Sequence, residues 1–237
     1  MLLPMEKSKP KKNFQDMVTM IYGAPKIGKS TFCAGLDSPL FLDSENGLNN
    51  LECYKVPVDS WETLIAVYEE LKAMKNRGKM PYKTLVYDTM DNIKAMCSDY
   101  VCKVNKVNHE SDLQWGKGYS MIRKELTVLL QKFKSLGLGT VYTSHAQATE
   151  IKTRTGSYNR WDTTMDKAAR DIVLPSCDFI LFAESMTDNT GEKRVLHTKP
   201  ADTWNAGDRT GMLPPTLPLD AVEFLKIFNT TMGGKER

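Results

Sequence analysis

Residues 23–30 read Gly-Ala-Pro-Lys-Ile-Gly-Lys-Ser, two glycines separated by four residues and followed at once by a lysine and a hydroxyl. Glycines there let the chain turn tightly and let backbone N–H groups converge on an anion, and a helix N-terminus just beyond adds a favourable dipole. The stretch therefore reads as a phosphate-binding loop comprising Gly23, Ala24, Pro25, Lys26, Ile27, Gly28, Lys29, Ser30 and the adjoining Thr31. In that pattern Lys29 places its ammonium on the outer phosphates and Ser30 offers its hydroxyl to Mg²⁺, so the expected ligands are ATP and Mg²⁺.

A phosphate loop needs acids near it. Asp88 closes the apolar run TLVYD, where a carboxylate can hold the water shell of Mg²⁺; its competing assignment is an N-cap for the next helix, although Asp91 is better placed for that. In FLDSEN, Glu45 is positioned to polarise water onto the terminal phosphate, with Asp43 supporting it or lying near the metal; the alternative is a solvated loop acid.

These groups need strands and helices to hold them. Short apolar runs alternate with amphipathic stretches, which predicts a mostly parallel sheet covered by helices. Strands are expected at 17–23, 39–43, 54–58, 84–88, 140–145, 178–184 and 194–199, the last two joined as a β-hairpin around DNTGEK. Helices are expected at 29–36, after an Asp59 cap with Glu62 as its capping-box partner, at 92–104, at 119–135 and at 218–228. Residues 105–118 and 151–160 read as polar loops. The organisation expected is a basic tail at 1–16, one α/β domain at 17–229 and a short tail at 230–237.

With 237 residues, 41% hydrophobic and 26% charged, the chain can bury a core, and a net charge of +3 identifies no partner. Five scattered cysteines without a CxxC pair argue against a disulfide framework or a zinc site. The opening MLLPMEKSKPKK lacks the apolar core of a signal peptide and no later run is long enough to span a bilayer, so the expected location is the cytoplasm, with no membrane partner.

Four stretches in order, GAPKIGKS, LFLDSEN, TLVYD and VYTSHAQ, resemble the RecA-like P-loop ATPase core shared by recombinases and hexameric replicative helicases. From Met17 to Phe228 the chain is more closely similar to small phage and prophage ATPases reduced to that core and associated with single-strand annealing and recombination. The resemblance implies Glu45 as catalytic base, Asp88 on the metal, and His145 as the γ-phosphate sensor in a position where the family typically carries glutamine, with Ser144 and Gln147 nearby. It also implies that DRTG, in the stretch 199–220, presents Arg209, with Lys199, to the phosphates of a neighbouring subunit in a ring or filament. A phage single-strand-binding protein is a further implied partner, and the implied setting is a bacterial host cell or a prophage.

For single-stranded DNA, the loop at 151–160 offers Lys152, Arg154, Tyr158 and Arg160 next to Trp161, and the loop at 105–118 offers Trp115 beside Lys103, Lys106 and Lys117. Basic side chains track a phosphate backbone and aromatic faces stack on bases. Two other readings stay open: a small-molecule kinase with 151–160 as its lid, and a nucleotide switch that loads another protein.

Overall fold

The first strand, β1 (Val18–Gly23), is buried along its whole length. Val18, Met20 and Tyr22 face one apolar layer and Ile21 the other, as the two-residue repeat of a strand covered on both faces requires. The computed structural model describes residues 5–7, 11–188 and 191–233. Lys9, the hairpin residues Asn189 and Thr190, and residues 234–237 lie outside that set.

After β1 come α1 (Lys29–Ala34), β2 (Pro39–Asp43), β3 (Tyr54–Pro57), α2 (Trp61–Asn76), β4 (Thr84–Asp88), α3 (Met90–Asn105) and α4 (Lys117–Lys134). The chain continues through β5 (Gly139–Lys152), β6 (Ser157–Thr163), α5 (Lys167–Ser176), β7 (Phe179–Asp188) and β8 (Gly191–His197). It closes with β9 (Gly207–Asp208), β10 (Thr216–Pro218) and α6 (Ala221–Gly233). Strands β3, β2, β4, β5, β1 and β7 lie side by side in that order and run parallel; β8 and β10 extend the sheet antiparallel. Helices α2 to α5 cover one face, and Phe14, α1 and α6 cover the other.

The α/β architecture and the antiparallel β7–β8 pair are those expected from the sequence. Several local details differ. The N-cap of α2 is Ser60, whose hydroxyl accepts from the Thr63 N–H, while Asp59 accepts from the Thr63 hydroxyl instead. Helix α3 begins after Thr89, and Asp91 lies inside its first turn, accepting from Thr164 rather than capping. Residues 151–160 are not an irregular loop: the outer half of β5 pairs antiparallel with β6, from Ala146 with Thr163 to Lys152 with Ser157, as a two-stranded arm leaving the sheet. Helix α5, capped by Asp166, was not expected at all.

Among the described residues, the five cysteines are free thiols, and no helix is long and apolar enough to cross a membrane.

Candidate active site

Parallel strands all end on the same edge of the sheet, and a crevice opens where connections leave a strand in opposite directions. Here β1 sits between β5 and β7, and the loop after β1 faces the tips of β2, β4 and β5. The resulting cleft, about 230 Å³, is lined by Lys26, Gly28, Lys29, Ser30 and Thr31 of the loop, by Glu45, Asn50 and Leu51 after β2, by Asp88 and Thr89 after β4, and by His145 of β5.

The two glycines have different reasons. A β-carbon on Gly23 would stand 2.6 Å from the Ala183 carbonyl oxygen of β7, so only glycine lets the two strands close at this point. Gly28 is the N-cap of α1 with φ 116°, a backbone region that side chains other than glycine's resist. Ala24, Pro25 and Lys26 form the exposed crest of the loop, and Ile27 packs partly beneath it.

Lys29 is buried, and its ammonium donates to the carbonyls of Gly23 and Ala24, 3.0 Å each. Burial lowers its pKa, while the facing carboxylates of Asp88, Glu45 and Asp91 work in the opposite direction and favour the charge. Ser30 donates to Asp88 Oδ2 at 2.8 Å, and Thr143 of β5 donates to Asp88 Oδ1 at 2.6 Å. Burial raises the Asp88 pKa against those two bonds. Ser30 and Asp88 are hard oxygen donors side by side, which suits Mg²⁺ that keeps several waters and takes its remaining ligands from phosphate. No group of three or more His, Cys, Asp or Glu among the described residues is arranged to hold a metal by itself. Ser30 and Asp88 thus fit a metal that arrives with its nucleotide.

Glu45 points into this cleft. Its Oε1 accepts from the Thr89 hydroxyl at 2.9 Å and lies 2.9 Å from His145 Nε2. Asp43 is buried beneath it and accepts from the Glu45 N–H, so it shapes the turn rather than lining the cleft. Ser44 ties the tips of β2 and β4 together: its N–H and hydroxyl donate to the Asp88 carbonyl, and its oxygen accepts from the Thr89 N–H. Ser44, Thr89 and Thr143 were missed in the sequence; the hydroxyl of Thr143 inside the apolar run TVYTSH was the visible sign.

His145 pairs in register with Gly23 and stands where β5 leaves the sheet to become the arm. Its carbonyl accepts from Thr164, the first residue after β6. Ser144 and Gln147 do not reach the cleft; the Gln147 amide donates to Thr163 across the arm. Along the arm, Tyr158 and Arg160 share one face, while Lys152 shares the other with Trp161, and Lys152 and Arg154 are exposed. Trp161 stacks on Phe182 at 6.3 Å yet keeps 37% of its surface exposed, and Trp115 is 92% exposed. Lys103 is engaged with Glu62 at 2.7 Å.

Arg209 is not brought to this cleft. It lies at the opposite edge of the sheet, beside Asp178 at the foot of β7. Its guanidinium donates to the carbonyls of Pro175 and Cys177 at 2.9 and 2.8 Å and lies 3.3 Å from the Asp178 carboxylate. It closes the C-terminal end of α5. Its neighbour Asp208 is the hub of a folded knot, accepting from Thr210, from the Leu213 N–H and from Lys199 at 3.0 Å. Burial works against ionisation of Asp208, but those bonds outweigh it and hold the carboxyl below its ordinary range.

The profile of an AAA domain family, AAA_24, matches residues 15–210. Over 137 residues the chain is 26% identical to an SPbeta prophage-derived uncharacterized protein, YorG, of Bacillus subtilis, a match covering 57% of this chain and 42% of that relative. Among solved structures, a KaiC-like protein of the archaeon Pyrococcus horikoshii aligns over 86% of this chain and 85% of its own, at 13% identity and a TM-score of 0.47.

Proposed function

Because the chain belongs to this AAA domain family, whose members are P-loop ATPases, we propose that it is a Mg²⁺-dependent ATPase of phage-type DNA recombination or single-strand annealing. In this reading it binds single-stranded DNA, with weak sequence preference, as a homo-oligomeric ring or filament, and works beside a phage single-strand-binding protein. The prophage origin of the Bacillus relative supports the setting.

The observation that carries the reading is the placing of Glu45. It is held by Thr89 and His145 inside the cleft that also holds Lys29, Ser30 and Asp88. A carboxylate so oriented accepts the proton of water attacking the terminal phosphate. Lys29 exchanges its two loop carbonyls for phosphate oxygens and offsets the charge that develops there. Ser30 and Asp88 would hold Mg²⁺, which when bound would supply Lewis-acid stabilisation of the charge on the phosphates. His145 touches the base on one side and continues into the arm on the other, so occupancy of the cleft and the setting of Lys152, Arg154, Tyr158 and Arg160 share one residue as their joint.

Phosphate release by the full chain, with and without single-stranded DNA, tests this. Turnover that rises with DNA is expected. ADP formed only with an added small-molecule acceptor would replace the reading by a kinase, and nucleotide binding without turnover would replace it by a switch.

A further inference from the structure

On the side of the phosphate loop away from Glu45, β8 runs antiparallel to β7, and Arg194 pairs with Ser185, two positions beyond the Ala183 that pairs with Gly23. This brings its guanidinium to the loop: Nη1 lies 3.6 Å from where a β-carbon on Gly28 would stand. The backbone of Arg194 is fixed, because its carbonyl accepts from the Leu219 N–H at 3.0 Å. Its side chain is exposed, and no hydrogen-bond or ion-pair partner of its guanidinium is seen among the described residues. The loop beside it is already electropositive, with Lys29, Lys26 and the first N–H groups of α1. The balancing acids, Glu45 and Asp88, sit at the tips of β2 and β4, with β5 and β1 between them and β7. A cation set against such a loop without an acceptor of its own is a place for an anion, and the planar guanidinium fork matches phosphate oxygens.

We propose that Arg194 is a nucleotide-binding residue acting within its own chain, gripping the α-phosphate at the nucleoside end of the triphosphate. The inference rests on the reading of the cleft as a nucleotide site. With the terminal phosphate at Glu45 and His145, on the β2–β4–β5 side, the other end of the triphosphate lies toward β8. ATP and ADP share that end, so both use the contact, and the hydrolytic step does not.

The experiment is calorimetric titration of the full chain with Mg-ATP and separately with Mg-ADP, alongside steady-state hydrolysis, for wild type, Arg194→Ala and Arg194→Lys. Loss of the arginine should weaken both nucleotides about tenfold or more while kcat at saturation stays within about twofold. Lysine, which keeps the charge without the fork, should recover part of the affinity. The exposed position makes a folding defect unexpected, and an unchanged thermal midpoint checks that. Unchanged affinities in Arg194→Ala overturn the inference alone. So does a fall in kcat with affinities intact, since it would put the guanidinium at the transferred phosphate. Wild type that binds neither nucleotide overturns the cleft reading and this inference together.

Discussion

Arg194 and Arg209 are close in sequence and lie at opposite edges of the same sheet. Arg194 stands beside the phosphate loop, with its guanidinium unbonded among the described residues. Arg209 sits six residues of β7 away, from Ser185 to Phe179, roughly 20 Å at about 3.3 Å per residue, with its guanidinium on two carbonyls and a carboxylate. The chain between them runs down β8, against the direction of the parallel strands, and returns to the foot of β7 through β9. Proximity in sequence therefore says little about which edge a cation reaches. A motif identifies a residue type; strand direction decides which edge of its own chain's sheet it stands at.

The largest effect that would sharpen this contrast lies at the tip of β2. Glu45→Gln should lower kcat by about 100-fold or more while Mg-ATP affinity stays within about twofold, because the amide keeps the contacts of the side chain but cannot take a proton. Normal turnover in that variant would remove the base from the site. At the opposite edge the expected losses are of stability. Asp208→Asn should cost about 2 kcal/mol in urea unfolding near neutral pH, since the amide cannot satisfy Thr210, Leu213 and Lys199 together. The sign of its pH dependence follows from the depressed carboxyl. Stability from this group is present above the unfolded-state value of about 3.9 and is lost as the pH falls through the lower folded value. The variant should therefore show a flatter acid limb, and an unchanged limb would break the account. Arg209→Ala should cost only about 1 kcal/mol, because the group is largely exposed, and should leave kcat and KM unaltered. A large drop in kcat without a change in thermal midpoint would give Arg209 a role across a subunit interface as well.

Apart from the exposed edge strand β3, the parallel core was legible because its strands are buried on both faces and read as unbroken apolar runs ending at Gly23, Asp43, Asp88 and the Thr143–His145 segment. The arm was not. Its strands are half-buried to exposed, and their apolar residues, Ala146, Ala148, Ile151, Tyr158 and Trp161, are split between the two faces, so no single face reads as a core and their pairing depends on β5 continuing past the sheet. The caps were misassigned by one and two residues: Asp59 offers the same capping chemistry as Ser60, while Thr89 starts α3 by its extended backbone alone, its side chain making no capping bond. Arg194 gave no signal, since it sits among other charged residues of an exposed hairpin strand and only the register of β8 against β7 sets it beside Gly28. Arg209 stood out for its neighbours in DRTG, which serve as a turn around Asp208.

Gly23 packs so tightly on Ala183 that even a single methyl group would collide with the neighbouring strand. The base of the nucleotide cradle is therefore propped from behind by β7, a segment encoded far downstream. Shortening the protein ahead of that strand would not yield a smaller working unit; it would withdraw the floor on which the loop rests.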